Sequence, residues 1–225
     1  MLGIPTGIDV WCTTLETDRY SVLESVLTDD ERRQASRFRF ERDRRRYVVR
    51  HAQLRRVLSH YLDCTPSEVP FVRSPSGKPG VCDSAIAFSM SHSGELALYA
   101  VAAEGFIGCD IERLDCRLAS EETARLALTD REREVFALLP RDAQTMHFFR
   151  SWTRKEAWLK ARGDGLMTPM TAIEISNRHP LRFRRLPQDD MRDWLMADLE
   201  VPGGYVAALV ARRTSPISIN YRSSP

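Results

Sequence analysis

The sequence has 225 residues, of which 43% are hydrophobic and 28% charged, with a formal net charge of +2. Such a composition suits a globular chain with core enough for one domain or two small ones, and it excludes disordered, fibrous and disulfide-rich scaffolds. Met1 to Thr14 lacks a basic flank followed by an apolar run, no eighteen apolar residues stand together, and the five cysteines show no C-x-x-C spacing; the expectation is a cytoplasmic protein with no membrane span, zinc site or disulfide framework.

Charge is unevenly spread: Arg32 to Arg56 holds 11 arginines against Glu41 and Asp43 alone, so the rest of the chain is net acidic. This segregation suits a surface that receives an anion, although a solvated helix face explains most of these arginines. Thr28 with Glu31 forms a capping-box signature and predicts a helix to about Arg39. A second helix follows over Arg42 to Leu62, where Tyr47, Leu54, Val57, Leu58 and Tyr61 recur near helical spacing and the basic side faces outward. The turn formers of Ser74 to Gly80 make a loop bearing Lys78, and Ile86 to Met90 reads as a strand.

After Ser91-His92-Ser93-Gly94, the apolar run Leu96 to Ala103 is a buried strand, and Glu104-Gly105 is the best junction between two halves of similar outline, 1–105 and 106–225. Residues two apart on a strand share a face, so Phe106 to Glu112 sorts into apolar Ile107, Cys109 and Ile111 on one side and Gly108, Asp110 and Glu112 on the other. Thr129 with Glu132 repeats the capping box, and a longer helix runs from about Asp142 to Arg162, closed by Gly163-Asp164-Gly165. Ala172 to Ser176, Tyr205 to Ala211 and Ile217 to Tyr221 complete the strands. Helices and strands alternate without regular βαβ spacing, which predicts an α+β fold.

Asp110 and Glu112 would place their Cβ atoms roughly 6 to 7 Å apart on one strand face. By themselves they read as a solvated edge. Trp152, Glu156 and Lys160 line one helical stripe, which alone would be a surface ion pair worth a few tenths of a kcal/mol, but the tryptophan implies that the stripe is partly buried. Three carboxylates with no histidine cluster or thiolate pair specify a hard cation, magnesium, and magnesium implies phosphate. His92, between two serines and before a glycine, could receive an anion, though a lone histidine is more often structural. Only three of the basic residues are lysines, Lys78, Lys155 and Lys160, and each falls in one of these segments. No P-loop, G-x-G-x-x-G fingerprint or nucleophilic triad is present.

Gly77-Lys78-Pro79, Ser91-His92-Ser93-Gly94, Gly108-Cys109-Asp110-Ile111-Glu112 and Trp152-Thr153-Arg154-Lys155-Glu156-Ala157, with Lys160, Gly163 and Gly165, together resemble the Sfp-type phosphopantetheinyl transferases in order and spacing. The likeness spans roughly Thr28 to Leu166. It implies a monomer of two pseudo-symmetric α/β halves with coenzyme A bound between them. It also implies that Asp110, Glu112 and Glu156 bind magnesium at the pyrophosphate, that Lys78, Ser91 and His92 contact the adenosine 3′-phosphate end, and that Lys155 and Lys160 neutralise phosphate charge. Glu156 would then deprotonate the serine of an apo acyl or peptidyl carrier protein, directly or through a water. Cys109 departs from the family's usual aliphatic residue, and Glu31 and Gln34 stand near frequent lysines, leaving Arg32, Arg33 or Arg37, with Arg46 or Tyr47 from the next helix, to meet the 3′-phosphate. The alternative is a non-catalytic coenzyme A or carrier-protein binding module of the same fold. Nucleic-acid binding is not expected, since no stacking aromatics accompany the arginines.

Overall fold

The computed structural model describes residues 5–163, 167–212 and 218–223. The N-terminal half runs β1 (Ile8–Thr14), α1 (Tyr20–Ser25), α2 (Asp29–Ala35), α3 (Glu41–Ser59), the hairpin β2 (Phe71–Arg73) and β3 (Pro79–Val81), then β4 (Ala87–Ser93) and β5 (Leu96–Ala102). The C-terminal half runs β6 (Ile107–Arg113), α4 (Glu121–Ala127), α5 (Asp130–Leu138), α6 (Arg141–Arg162), the hairpin β7 (Glu174–Ser176) and β8 (Arg182–Arg185), then β9 (Trp194–Leu199), β10 (Tyr205–Arg212) and β11 (Ile219–Arg222). The mixed α+β class is as expected. Asp164, Gly165, Leu166 and Ile217 lie outside the described residues.

Two main sheets carry the fold, ordered β11-β1-β5-β4 and β6-β10-β9, antiparallel throughout except for the parallel pair β1 and β11. β5 is buried on both faces, which is why its sequence is a continuous apolar run. Tyr99 and Val101 face α3, packing with Val48, Ala52 and Leu58 in the N-terminal core. Leu98 and Ala100 face the other way and meet Ile107, Cys109 and Ile111 across the two sheets, so the predicted apolar face of β6 is the seam between the halves. The last strand crosses that partition: β11 belongs to the first sheet, tied there by buried Asp9, which accepts from Asn220 Nδ2 at 3.0 Å and from Arg222.

Helix ends follow the capping chemistry. Glu31 accepts from the Thr28 backbone N–H at 2.9 Å and starts α2, and Glu132 does the same with Thr129 at 2.8 Å for α5. α2 stops at Ala35, earlier than the predicted Arg39, because the chain folds back so that Phe38 packs against Tyr47 of α3 with ring centroids 5.3 Å apart. The basic side of α3 does not all face water: Arg55 is 3% exposed, paired with Glu31 and donating to the carbonyls of Pro66, Ser67 and Val69.

α6 lies against the second sheet, burying Ala157, Trp158 and Ala161 against Ala208 and Val210. Its closest approach is at Gly108, where an added Cβ would stand 1.9 Å from the Ala157 carbonyl oxygen and 2.4 Å from the Ala161 nitrogen. The glycine therefore lets helix backbone rest on strand backbone. That contact brings the polar face of β6 under the Glu156–Lys160 stripe.

Candidate active site

Asp110 stands where β4, β6 and α6 meet and is 3% exposed. Its Oδ1 accepts from Lys160 Nζ at 2.7 Å and from Ser91 Oγ at 2.6 Å, and Lys160 also donates to Ser91 Oγ at 2.8 Å. Its Oδ2 is buried with no hydrogen-bond partner. Glu112, two residues on, accepts from Ser93 Oγ at 2.7 Å. Glu156 lies one helical turn before Lys160 on α6.

The charges of these groups act on one another. Burial raises the Asp110 carboxyl above its ordinary range, against the pull of Lys160. Burial, with the charges of Asp110 and Glu156, pushes Glu112 up to about 7, and burial with Asp110 raises Glu156. Burial alone would lower the Lys160 ammonium, but its Asp110 partner carries it above the usual value. A crowd of carboxylates with one cation and one orphaned buried oxygen favours a proton or a further positive charge. Among the described residues no group of three or more acidic, histidine or cysteine side chains lies close enough together to hold a metal ion by itself. An open carboxylate cluster suits magnesium, which keeps water and takes ligands from substrate phosphates.

Ser91 had been expected at the 3′-phosphate; the structure sets it on Asp110 instead. The physical reason is strand alternation. Ser89, Ser91 and Ser93 share the face of β4 that meets β6, where Ser89 Oγ accepts from the Cys109 N–H at 3.0 Å and Ser93 Oγ accepts from the Arg113 N–H at 3.0 Å. The S-x-S-x-S period was the available signal, and Ser93 was missed as a partner of Glu112.

His92 points to the opposite side, into a pocket of about 440 Å³ lined by Phe38, Asp43, Arg46, Arg50, His92 and Ser93. Partial desolvation and the cations Arg50 and Lys160 push the His92 imidazole down to about 4, which favours the uncharged ring at neutral pH even though its side chain is exposed. Arg46 makes one long contact to Glu16 at 3.4 Å, and the Nε atoms of Arg46 and Arg50 are both buried without a partner. Arg50 escaped the sequence reading, although it follows Arg46 at the i,i+4 spacing that places two guanidinium groups on one helix face.

The other two lysines are elsewhere. Lys155 is fully buried, paired with Glu132 and donating to the Ala127 carbonyl at 2.8 Å. One residue is a rotation of about 100° on a helix, so Lys155 cannot share the face of Glu156 and Lys160. Lys78 Nζ donates to the carbonyls of Ala161 at 2.8 Å and Ile107 at 3.1 Å, away from the arginine-lined pocket.

An arginine-lined pocket beside a buried carboxylate–ammonium cluster has the charge that suits an anionic, phosphorylated ligand. Comparison with known proteins narrows the reading. Residues 106–210 match the 4'-phosphopantetheinyl transferase superfamily, and residues 11–104 match the 4'-phosphopantetheinyl transferase N-terminal family. The chain is 36% identical to the 4'-phosphopantetheinyl transferase HetI of Nostoc over 193 residues, which is 83% of this chain and 79% of that protein. It is 27% identical to the 4'-phosphopantetheinyl transferase Sfp of Bacillus subtilis over 188 residues, 83% of each. A solved holo-(acyl-carrier-protein) synthase from Bacillus anthracis, in complex with CoA (3',5'-ADP), covers 49% of this chain and 96% of its own at 22% identity and a TM-score of 0.40. The chain belongs to the 4'-phosphopantetheinyl transferase family and is an enzyme of that class.

Proposed function

We propose that this enzyme transfers the 4'-phosphopantetheine arm of coenzyme A to a serine of an apo acyl or peptidyl carrier protein at the Asp110–Glu112–Glu156–Lys160 cluster. The observation that carries this assignment is Asp110: one carboxylate oxygen is held by Ser91 and Lys160, while the other is buried without a hydrogen-bond partner. Asp110, Glu112 and Glu156 would hold magnesium, which when bound supplies charge neutralisation for the pyrophosphate.

Arg46 and Arg50 provide the charge that receives the adenosine 3′-phosphate, and neutral His92 offers a ring N–H beside them. Ser93 belongs both to this pocket and to the carboxylate cluster, so a ligand can run from one to the other along the end of β4. Glu156, its carboxyl raised by burial, takes the proton of the carrier serine, directly or through one water. The serine oxygen bonds to the phosphorus nearer the pantetheine, the bond from that phosphorus to the bridging oxygen breaks, and adenosine 3′,5′-bisphosphate leaves. Lys160 places its ammonium beside Asp110, where charge grows on the departing oxygens.

All of these groups come from one chain, which supports action as a monomer. The five cysteines are all free, which fits a reducing cytoplasm. No helix among the described residues is long and apolar enough to cross a membrane. Division into pseudo-symmetric halves at 1–105 and 106–225 is supported by family matches that end at 104 and begin at 106, with β11 returning across the boundary to the first sheet.

Incubation with coenzyme A, magnesium and a panel of apo carrier proteins, followed by mass spectrometry, should show one arm added to a serine and none when the metal is chelated. Glu156→Gln should stay folded and lose about 10²- to 10⁴-fold in kcat, the scale of a general base. Transfer by neither the wild type nor any carrier combination, or full activity in Glu156→Gln, would reject the assignment.

A further inference from the structure

Lys78 sits on the turn of the β2–β3 hairpin, held by its own N–H to Ser74 Oγ at 3.1 Å and by the Ser74 N–H to its carbonyl at 2.9 Å. From there its side chain leaves the N-terminal half. Its stem passes Gly163, the left-handed C-cap of α6, where an added Cβ would come within 3.1 Å of Lys78 Cδ. Its ammonium ends on the Ala161 carbonyl, in the last turn of α6, and on the Ile107 carbonyl at the start of β6.

The last turn of a helix has carbonyls without intrahelical partners and carries the negative end of the helix dipole. Lys78 answers both from a distant part of the chain. Its two acceptors flank the Gly108 contact, where α6 backbone rests on β6 backbone. The same contact sets Lys160 2.7 Å from Asp110. Burial brings the Lys78 ammonium down to about 8, in keeping with a group seated among carbonyls rather than in water.

We infer that Lys78 is a positioning residue, a clamp from the N-terminal hairpin that holds the end of α6 on β6 and so fixes Glu156 and Lys160 over Asp110. This rests on the reading of that cluster as the transfer site. It assigns Lys78 to turnover and not to recognition of the 3′-phosphate.

Steady-state transfer by wild type, Lys78→Met and Lys78→Gln should be compared on coenzyme A and on dephospho-coenzyme A, which lacks the 3′-phosphate. Hydrogen exchange of the α6 backbone should be followed in the same proteins without substrate. Lys78→Met should lower kcat about tenfold or more, since small misplacements of reacting groups are costly. Its KM for coenzyme A should stay within about twofold and the preference for coenzyme A over dephospho-coenzyme A should be kept, as for loss of an interaction realised only in the transition state. Exchange should quicken at residues 160–163, and Lys78→Gln, which keeps an N–H donor but loses the charge, should fall between and serves if Lys78→Met fails to fold. A raised KM with collapse of that preference would make Lys78 a phosphate ligand and overturn the inference, as would unchanged kcat and exchange. If the wild type transfers nothing, the functional reading fails while the exchange measurement still decides the clamp.

Discussion

Glu112 illustrates how the site stores charge for a ligand. Its carboxyl is pushed up to about 7 in the folded chain from the ordinary 4.5, because it is buried near Asp110 and Glu156. The folded state therefore binds more protons than the unfolded state between those values, and stability falls as pH rises through that window. Thermal unfolding in chelator should give a lower Tm at pH 7.5 than at pH 5.5, and Glu112→Gln should flatten the difference. Added magnesium should raise the Tm of the wild type more at pH 7.5 than at pH 5.5, since protons compete for the same oxygens. A metal response independent of pH would count against these carboxylates as ligands.

At the scale of elements, α6 has two working faces set by its rotation. Glu156 and Lys160 meet Asp110, while Lys155 ties α6 to α5 through Glu132, which also accepts from the Ile175 N–H at 2.9 Å. Lys155→Met leaves Glu132 as a buried charge without its partner and should cost about 3–5 kcal/mol in denaturant unfolding. Under conditions where the variant is folded, its KM for coenzyme A should be near that of the wild type; a large rise in KM would return Lys155 to the phosphate. Gly108→Ala pushes a methyl into the backbone of α6, and an overpacked contact of this kind costs about 1–3 kcal/mol or more. Its transfer rate should fall with its stability, because relief requires α6 to lift from Asp110.

For the molecule as a whole, contacts that join the two halves include the apolar seam between the sheets, the serines of β4 on β6, the Lys78 ammonium on the end of α6, and β11 running back beside β1. Asp9 is buried at the last of these, accepting from Tyr61 at 2.6 Å as well as from Asn220 and Arg222. The double change Asn220→Ala with Arg222→Ala should destabilise the protein by about 1–3 kcal/mol, the cost of leaving a buried acceptor short of donors. Chemical denaturation measures this directly. No change would mean that β11 contributes little to holding the halves.

Much of this was legible in the residues. Period two in Phe106 to Glu112 separated the seam from the carboxylate face, the four-residue spacing of Glu156 and Lys160 put them on one stripe, and Thr28 and Thr129 marked helix starts, because each pattern records a local geometry that the backbone enforces by itself. The strands β1, β2, β3, β8 and β9 and the short helices α1 and α4 were not seen, since short segments of mixed polarity carry no sustained period to read. Nor could sequence tell where a long basic side chain ends. Lys78, Lys155 and Arg55 look alike as chain-borne charges, yet one clamps a helix end, one neutralises Glu132 and one neutralises Glu31. Local spacing determined which residues share a face; only the packing of α6 on Gly108 and of β4 beside β6 decided which faces meet, because a charge's partner is fixed by whatever the fold brings within a few ångströms of it.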